Sequence, residues 1–283
     1  MPNFDSRNAL LAAGVLSGLS LMAAGAIHAG ESGGRTPDFS SNEAAWVLTN
    51  GDYIAVPGGP SPTRNDPAHP YVTNNAFRAT GAQPSFRVAD LANPNIRPWA
   101  KEIMKRENDK VLSGGMPYGA RSSCMPAGVP AFMGFAVVEP IHFMQTPKQV
   151  TMIFSGDAQV RRVYLDVPHS PNPKPSWYGE SVGHYEGDTL VVDTIGMNDK
   201  SYLDNFRTPH TEKLHVVERY RLVDEGKTLQ VTFRVEDPDT FFEPWSAMNN
   251  FKRVQMPMHE EACAENNQHL FDYHMPVASK ADF

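Results

Sequence analysis

Apolar and polar positions alternate with period two through most of the second half of the chain. The clearest run is Leu214-His-Val-Val-Glu-Arg-Tyr-Arg-Leu222. Leu214, Val216, Tyr220 and Leu222 share one face, and His215, Val217, Arg219 and Arg221 share the other. Such alternation marks a strand with one buried face. It predicts strands at about 148–155, 159–166, 176–185, 189–195, 213–223, 228–236 and 245–255. Three connections are tight: Ser155-Gly156-Asp157, Glu186-Gly187-Asp188 and Asp224-Glu225-Gly226-Lys227. Each holds a glycine that can take the positive φ of a short hairpin. The connections at 167–175, 196–212 and 237–244 are long. Tight and long alternate strictly, so an up-and-down meander puts all tight hairpins at one end and all long loops at the other. A sheet of seven or eight antiparallel strands tends to close on itself. The expected fold is therefore mainly β, an antiparallel up-and-down barrel with an N-terminal arm and one helix. A two-sheet sandwich is the runner-up.

Ahead of the strands the pattern is different. One helix is expected, with Asn95 as its cap, Pro98 in the first turn and an end near Leu112, before Gly114-Gly115. Trp99, Ile103 and Met104 would face the barrel. Residues 31–95 are broken by Pro57-Gly58-Gly59-Pro60-Ser61-Pro62 and Asn65-Asp66-Pro67. They read as an extended arm anchored by Trp46, Tyr53, Tyr71, Phe77 and Phe86. The chain divides into a signal peptide at 1–29, an arm and helix at 30–147, and a barrel with a C-terminal tail at 148–283.

Composition narrows the setting. Asn8 to Gly25 is uncharged and rich in Leu, Ala and Gly, and Ala24-Gly25-Ala26 and Ile27-His28-Ala29 offer small residues for cleavage. The rest has no stretch apolar and long enough to cross a bilayer, so the expected location is periplasmic or extracellular. The 283 residues carry a formal charge of −7 without a basic cluster, which excludes a nucleic-acid surface. Two cysteines, Cys124 and Cys263, predict a disulfide in an exported chain. Two separate thiols are the alternative.

Alternation also points to chemistry. Glu218 shares the inward face of its strand, where a carboxylate is costly unless paired, hydrogen-bonded or protonated. Two readings stay open: a general acid or base, or half of a structural pair with an interior arginine. If Val163 and Leu165 face the core, that arginine is Arg161 rather than Arg162. The long loop at 196–212 carries Asn198, Asp199, Asp204 and His210, and His210 would border one cavity with Glu218. Asp193 is a further candidate, facing the cavity while Thr194 faces away. Asp237 and Trp245 lie at the mouth, and Tyr164, Tyr202 and Phe206 could wall the site. The histidines show no paired ligand spacing on one element, and no phosphate loop or nucleophile elbow is present, so no cofactor is expected, and a metal only where dispersed histidines converge in the fold.

A longer string carries a resemblance. It runs Arg161-Arg162-Val-Tyr-Leu-Asp166, Tyr185-Glu-Gly-Asp-Thr-Leu-Val-Val-Asp193-Thr-Ile-Gly196-Met-Asn198-Asp199, His210-Thr-Glu-Lys-Leu-His-Val-Val-Glu218-Arg219 and Cys263-Ala-Glu-Asn-Asn267. With Arg121-Ser-Ser-Cys124-Met-Pro126 it covers most of the mature chain and resembles a large family of secreted bacterial hypothetical proteins. Tyr185, Met197 and Thr211 stand where that family commonly has Trp, Phe and Ser. Some similar proteins look like coenzyme-independent enzymes acting on lignin-type aromatic ethers. The resemblance implies a pocket around Arg161, Asp193, His210 and Glu218. The reading that follows is an exported enzyme that breaks a C–O bond, of an ether or an ester, in a small aromatic molecule. Glu218 or His210 would move the proton and Arg161 would hold the developing negative charge. Its rival is a lipocalin-like binding protein for an apolar or aromatic ligand, and a third reading is a structural envelope protein with a filled barrel.

Overall fold

The computed structural model describes residues 36–40, 44–73, 76, 79–81, 85–134, 140–156, 159–258 and 263. The expected leader at 1–29, the anchor Phe77, Asp157 of the first hairpin and the segment from Ala264 to the C-terminus lie outside them. Ten strands form one sheet: β1 (Ala44–Leu48), β2 (Ile54–Ala55), β3 (Ile141–Thr146), β4 (Gln149–Phe154), β5 (Gln159–Leu165), β6 (Glu180–Glu186), β7 (Thr189–Ile195), β8 (His215–Val223), β9 (Thr228–Glu236) and β10 (Trp245–Gln255). The order β1-β3-β4-β5-β6-β7-β8-β9-β10 closes through pairing of β1 with β10, giving a nine-stranded barrel. Short β2 continues the β1 edge along β10.

The barrel expected from alternation is present, with two corrections. It starts well before residue 148, because β1 and β3 are staves of the wall and the arm is part of the barrel. It is also not antiparallel throughout: β5 and β6 run parallel, pairing Val163 with Ser181 and Leu165 with Gly183. Parity requires this. A closed ring of alternating directions needs an even number of strands, so nine strands force a parallel joint. A parallel joint cannot be made by a hairpin, and residues 166–179 cross from one end of the barrel to the other.

That crossing changes the ends. The loops after β7 and β9 do share one end, called here the mouth. The connection from β4 to β5 joins them there, whereas the turns at 187–188 and 224–227 lie at the opposite end. The 167–175 connection belongs to neither end. Gly187 sits at φ 62° in its two-residue turn, a conformation that favours glycine.

Inward positions fill the interior. Trp46, Ile141, Phe143, Met152, Val163, Leu190, Val192, Val216, Tyr220, Val231, Phe233, Val235 and Phe251 are all buried. Each large side chain contributes roughly 1.5–3 kcal/mol by burial. Trp46 closes the seam, donating its indole N–H to the Phe39 carbonyl at 2.8 Å and stacking under Arg253. The one long helix among the described residues, α1 (Pro98–Leu112), has Arg97 and not Asn95 at its cap position. Asn95 is used otherwise, since its amide bonds the backbone N–H and C=O of Glu243. The buried stripe of α1 is Ala100, Met104 and Asn108 rather than Trp99 and Ile103. Asn108 clasps both backbone groups of Ala89 and so pins the arm to the helix. Among the described residues no helix is long and apolar enough to cross a membrane. Cys124 and Cys263 are joined by a disulfide, with Cα atoms 5.7 Å apart.

Candidate functional site

Strand β8 turns Glu218 into the barrel and β5 turns Arg161 toward it; both are fully buried. Their pairing is bidentate, the arginine Nη1 donating to Oε1 at 3.0 Å and Nη2 to Oε2. Arg161 also reaches Thr194 at 2.9 Å and Ser181 at 3.1 Å, and the Tyr220 hydroxyl donates to Glu218 at 2.9 Å. Burial by itself would lower the pKa of this guanidinium, but Glu218 and Tyr220 raise it above its ordinary value. Burial, reinforced by Glu218, pushes Tyr220 well up. The result is a closed polar knot in a filled interior, with every partner on hand.

The other expected residues are dispersed. His210 is buried, its Nδ1–H donating to the Thr211 carbonyl at 3.1 Å while Nε2 accepts from the Ser201 hydroxyl at 3.0 Å. Burial lowers its pKa, so it is neutral at pH 7. Asp237 is also buried and is spent on Thr211 and Thr240. Asp193 faces outward, contrary to expectation, and Thr194 faces in. On the outer wall one Asp193 oxygen accepts from His169 at 2.9 Å and from His215 at 3.0 Å. These bonds, His215 first, hold the Asp193 pKa down. Tyr164 is exposed on the same outer surface. Asn198 caps a turn by accepting from the Lys200 N–H. Phe206 and Trp245 are core residues, with Trp245 against Tyr53 and Phe241.

A cavity of about 580 Å³ lies at the mouth, bounded by three segments distant in sequence. The arm supplies Tyr71, Phe86 and Arg87; residues 117–122, just before Cys124, supply Tyr118 and Arg121; the β7–β8 loop supplies Tyr202, Asp204 and Arg207. Aromatic walls with a few converging polar groups are the usual makeup of a small-molecule site. Arg87 is pinned between Asp52, at 2.5 Å, and the ring of Tyr71. Arg121 lies over Phe154.

The loop floor is built around Asp204. One of its oxygens accepts from the N–H of Phe206 at 2.8 Å and of Thr208 at 3.2 Å; the other accepts from the Thr208 hydroxyl at 2.7 Å. Thr208 in turn contacts the Thr63 hydroxyl at 2.7 Å. This turn holds Arg207 at φ 62°, a strained conformation for a non-glycine residue. Its guanidinium reaches across to the Arg87 carbonyl at 2.7 Å. Burial raises Asp204 to about 6, against the opposing pull of its hydrogen bonds. Arg207 is shifted down by its own burial.

Of the residues expected to wall the site Tyr202 lines this cavity, and so does Asp204, noted on the same loop. Arg87, Arg121 and Arg207 escape a reading by strands, because none sits in a strand and they meet only through tertiary contact. The available signals were the length of the 196–212 loop and the arm aromatics Tyr71 and Phe86. No family model, curated protein or solved structure matches the chain.

Proposed function

We propose that the mouth cavity binds a small aromatic molecule bearing an acidic oxygen and that an exported enzyme breaks a C–O bond of that molecule there. The observation that carries the reading is a buried carboxyl titrating near 6 in a cavity walled by aromatic rings and guanidinium groups. At neutral pH Asp204 is mostly ionised and close to its pKa, the condition for a general base. It takes a proton from a substrate hydroxyl or a water; that oxygen attacks carbon, and a phenolate or carboxylate leaves toward the arginines. The disulfide fits an oxidising compartment.

A carrier without turnover is the second reading. It is favoured by one observation: both Asp204 oxygens already accept hydrogen bonds from its own loop. Isothermal titration with aryl ethers and aryl carboxylates, run beside product analysis, separates the two. For the enzyme, Asp204→Asn keeps binding and cuts turnover about 10²–10⁴-fold. Arg207→Ala should weaken binding of the acidic ligands more than that of neutral analogues. Tight binding without product in the unaltered protein would leave the carrier standing.

A further inference from the structure

We propose a second ligand site on the flank of the barrel, between β5 and the 166–179 crossover, that takes an acidic saccharide. It is independent of the mouth cavity. The site follows from the parallel joint. β5 and β6 pair only over Val163–Leu165 and Ser181–Gly183. Toward the mouth the pairing stops, and residues 160–162 and 177–180 border one opening. The opening is a groove of about 620 Å³.

Its outer wall is fastened. His169 holds Glu180 at 3.0 Å and Asp193 at 2.9 Å, and the Ser170 N–H donates to Glu180 at 2.6 Å. Further along, Ser176 donates to the Gly196 carbonyl at 3.0 Å and accepts from the Asn198 N–H at 2.8 Å. The carboxylate bordering the groove, Glu180, is thereby occupied.

The lining chemistry is specific. Tyr164 is 47% exposed and Trp177 half-buried, offering ring surface at the groove. Arg162 and Lys174 are exposed there, and among the described residues neither is paired with a carboxylate. Elsewhere on this chain of net charge −7, Arg219, Arg221 and Arg234 each face a carboxylate. Two unpaired cations beside aromatic rings call for an anion with a flat apolar face. The groove is open and also lined by Asn172 and Ser176, so its occupant stays largely in water. Sugar rings have both properties, C–H faces for the aromatics and hydroxyls for solvent and amide. Uronate carboxylates supply the charge.

The test is titration of the full chain with trigalacturonate, maltotriose and benzoate, followed by calorimetry. Trigalacturonate should bind, more weakly as salt rises, and maltotriose at least tenfold less well. Arg162→Glu with Lys174→Glu should reduce trigalacturonate binding at least tenfold and Trp177→Ala should reduce it further, while Arg207→Ala in the mouth cavity leaves it unchanged. Circular dichroism and melting of each variant check that the fold persists. No binding of trigalacturonate, equal binding of maltotriose, or binding indifferent to Arg162 and Lys174 would overturn the proposal. Benzoate competing in the groove would overturn the saccharide assignment.

Discussion

Arg161 and Glu218 in the barrel, and Arg207 and Asp204 at the mouth, are all buried, and they meet different fates. Inside the barrel Arg161 and Glu218 face each other as a fork and a carboxylate, and Ser181, Thr194 and Tyr220 take the remaining bonds. At the mouth Arg207 and Asp204 are three residues apart yet serve different partners. The arginine reaches backbone carbonyls, and the carboxyl holds its own turn. The interior pair neutralises itself, each partner answering the other's charge. The mouth groups border a cavity, and burial displaces their pKa values by outweighing the neighbours that oppose it. Burial of a charge therefore does not by itself mark a site; what separates the two is the open space beside the mouth groups.

The contrast can be broken in several ways. Reduction of Cys124–Cys263, which closes a separation of 139 residues, should lower stability by about 5 kcal/mol in the chain-entropy description. Because Cys124 follows the cavity wall at 117–122, ligand binding at the mouth should fall before the β signal does. Urea titrations with and without reductant, read by circular dichroism and by ligand titration, measure both. Simultaneous loss would mean that the mouth is no softer than the barrel.

Glu218→Gln should lower stability by about 3–5 kcal/mol, because it leaves Arg161 buried without its counter-charge. Replacing both partners, Arg161→Met with Glu218→Leu, should recover most of that loss. Binding at the mouth per folded molecule should be unaltered. A variant that keeps its melting temperature but loses turnover would place the chemistry in the interior and reverse the comparison.

Asp204 gives a smaller, pH-dependent effect. Its carboxyl sits above the unfolded value, so the folded state holds the proton more tightly between the ordinary 3.8 and about 6. Ionisation then works against folding: the penalty is absent below pH 3.8, grows through this window and is complete above 6. Its full size is about 3 kcal/mol. Asp204→Asn removes it, so the variant should gain on the unaltered protein as pH rises from 4 to 7, in chemical unfolding at a series of pH values. A gap that stays flat would show that the carboxyl is not displaced.

The smallest effect is expected on the outer wall. Arg219→Ala breaks an exposed pair with Glu186 and should change stability by no more than about 1 kcal/mol. A loss comparable to that of Glu218→Gln would mean that exposure does not separate the two kinds of ion pair here.

Much of the wall was legible because a strand's alternation is a local property. The runs at 189–195, 228–236 and 245–255 coincide with β7, β9 and β10, and the same alternation turned Glu218 and Arg161 inward. Asp193 was misplaced because four consecutive residues of β7, Thr189–Val192, are buried, which blurs the two faces. β1 is only five residues long in proline- and glycine-rich chain, and its partners on β10 lie about 200 residues away.

By itself, then, the sequence determined β4 to β10 and most of their inward residues, since side-chain direction alternates along a strand whatever it packs against. Only the tertiary structure decided how many strands close the ring, and an odd number brought the parallel joint, the crossover and its groove. It also decided which charges are spent. Arg161 and Glu218 find each other across the interior, whereas Arg87, Arg121 and Arg207 come from segments outside the strands that meet only when the arm, the disulfide-linked segment and the β7–β8 loop gather at the mouth. Neighbourhood of that kind is set by folding in three dimensions, and no period in the chain encodes it.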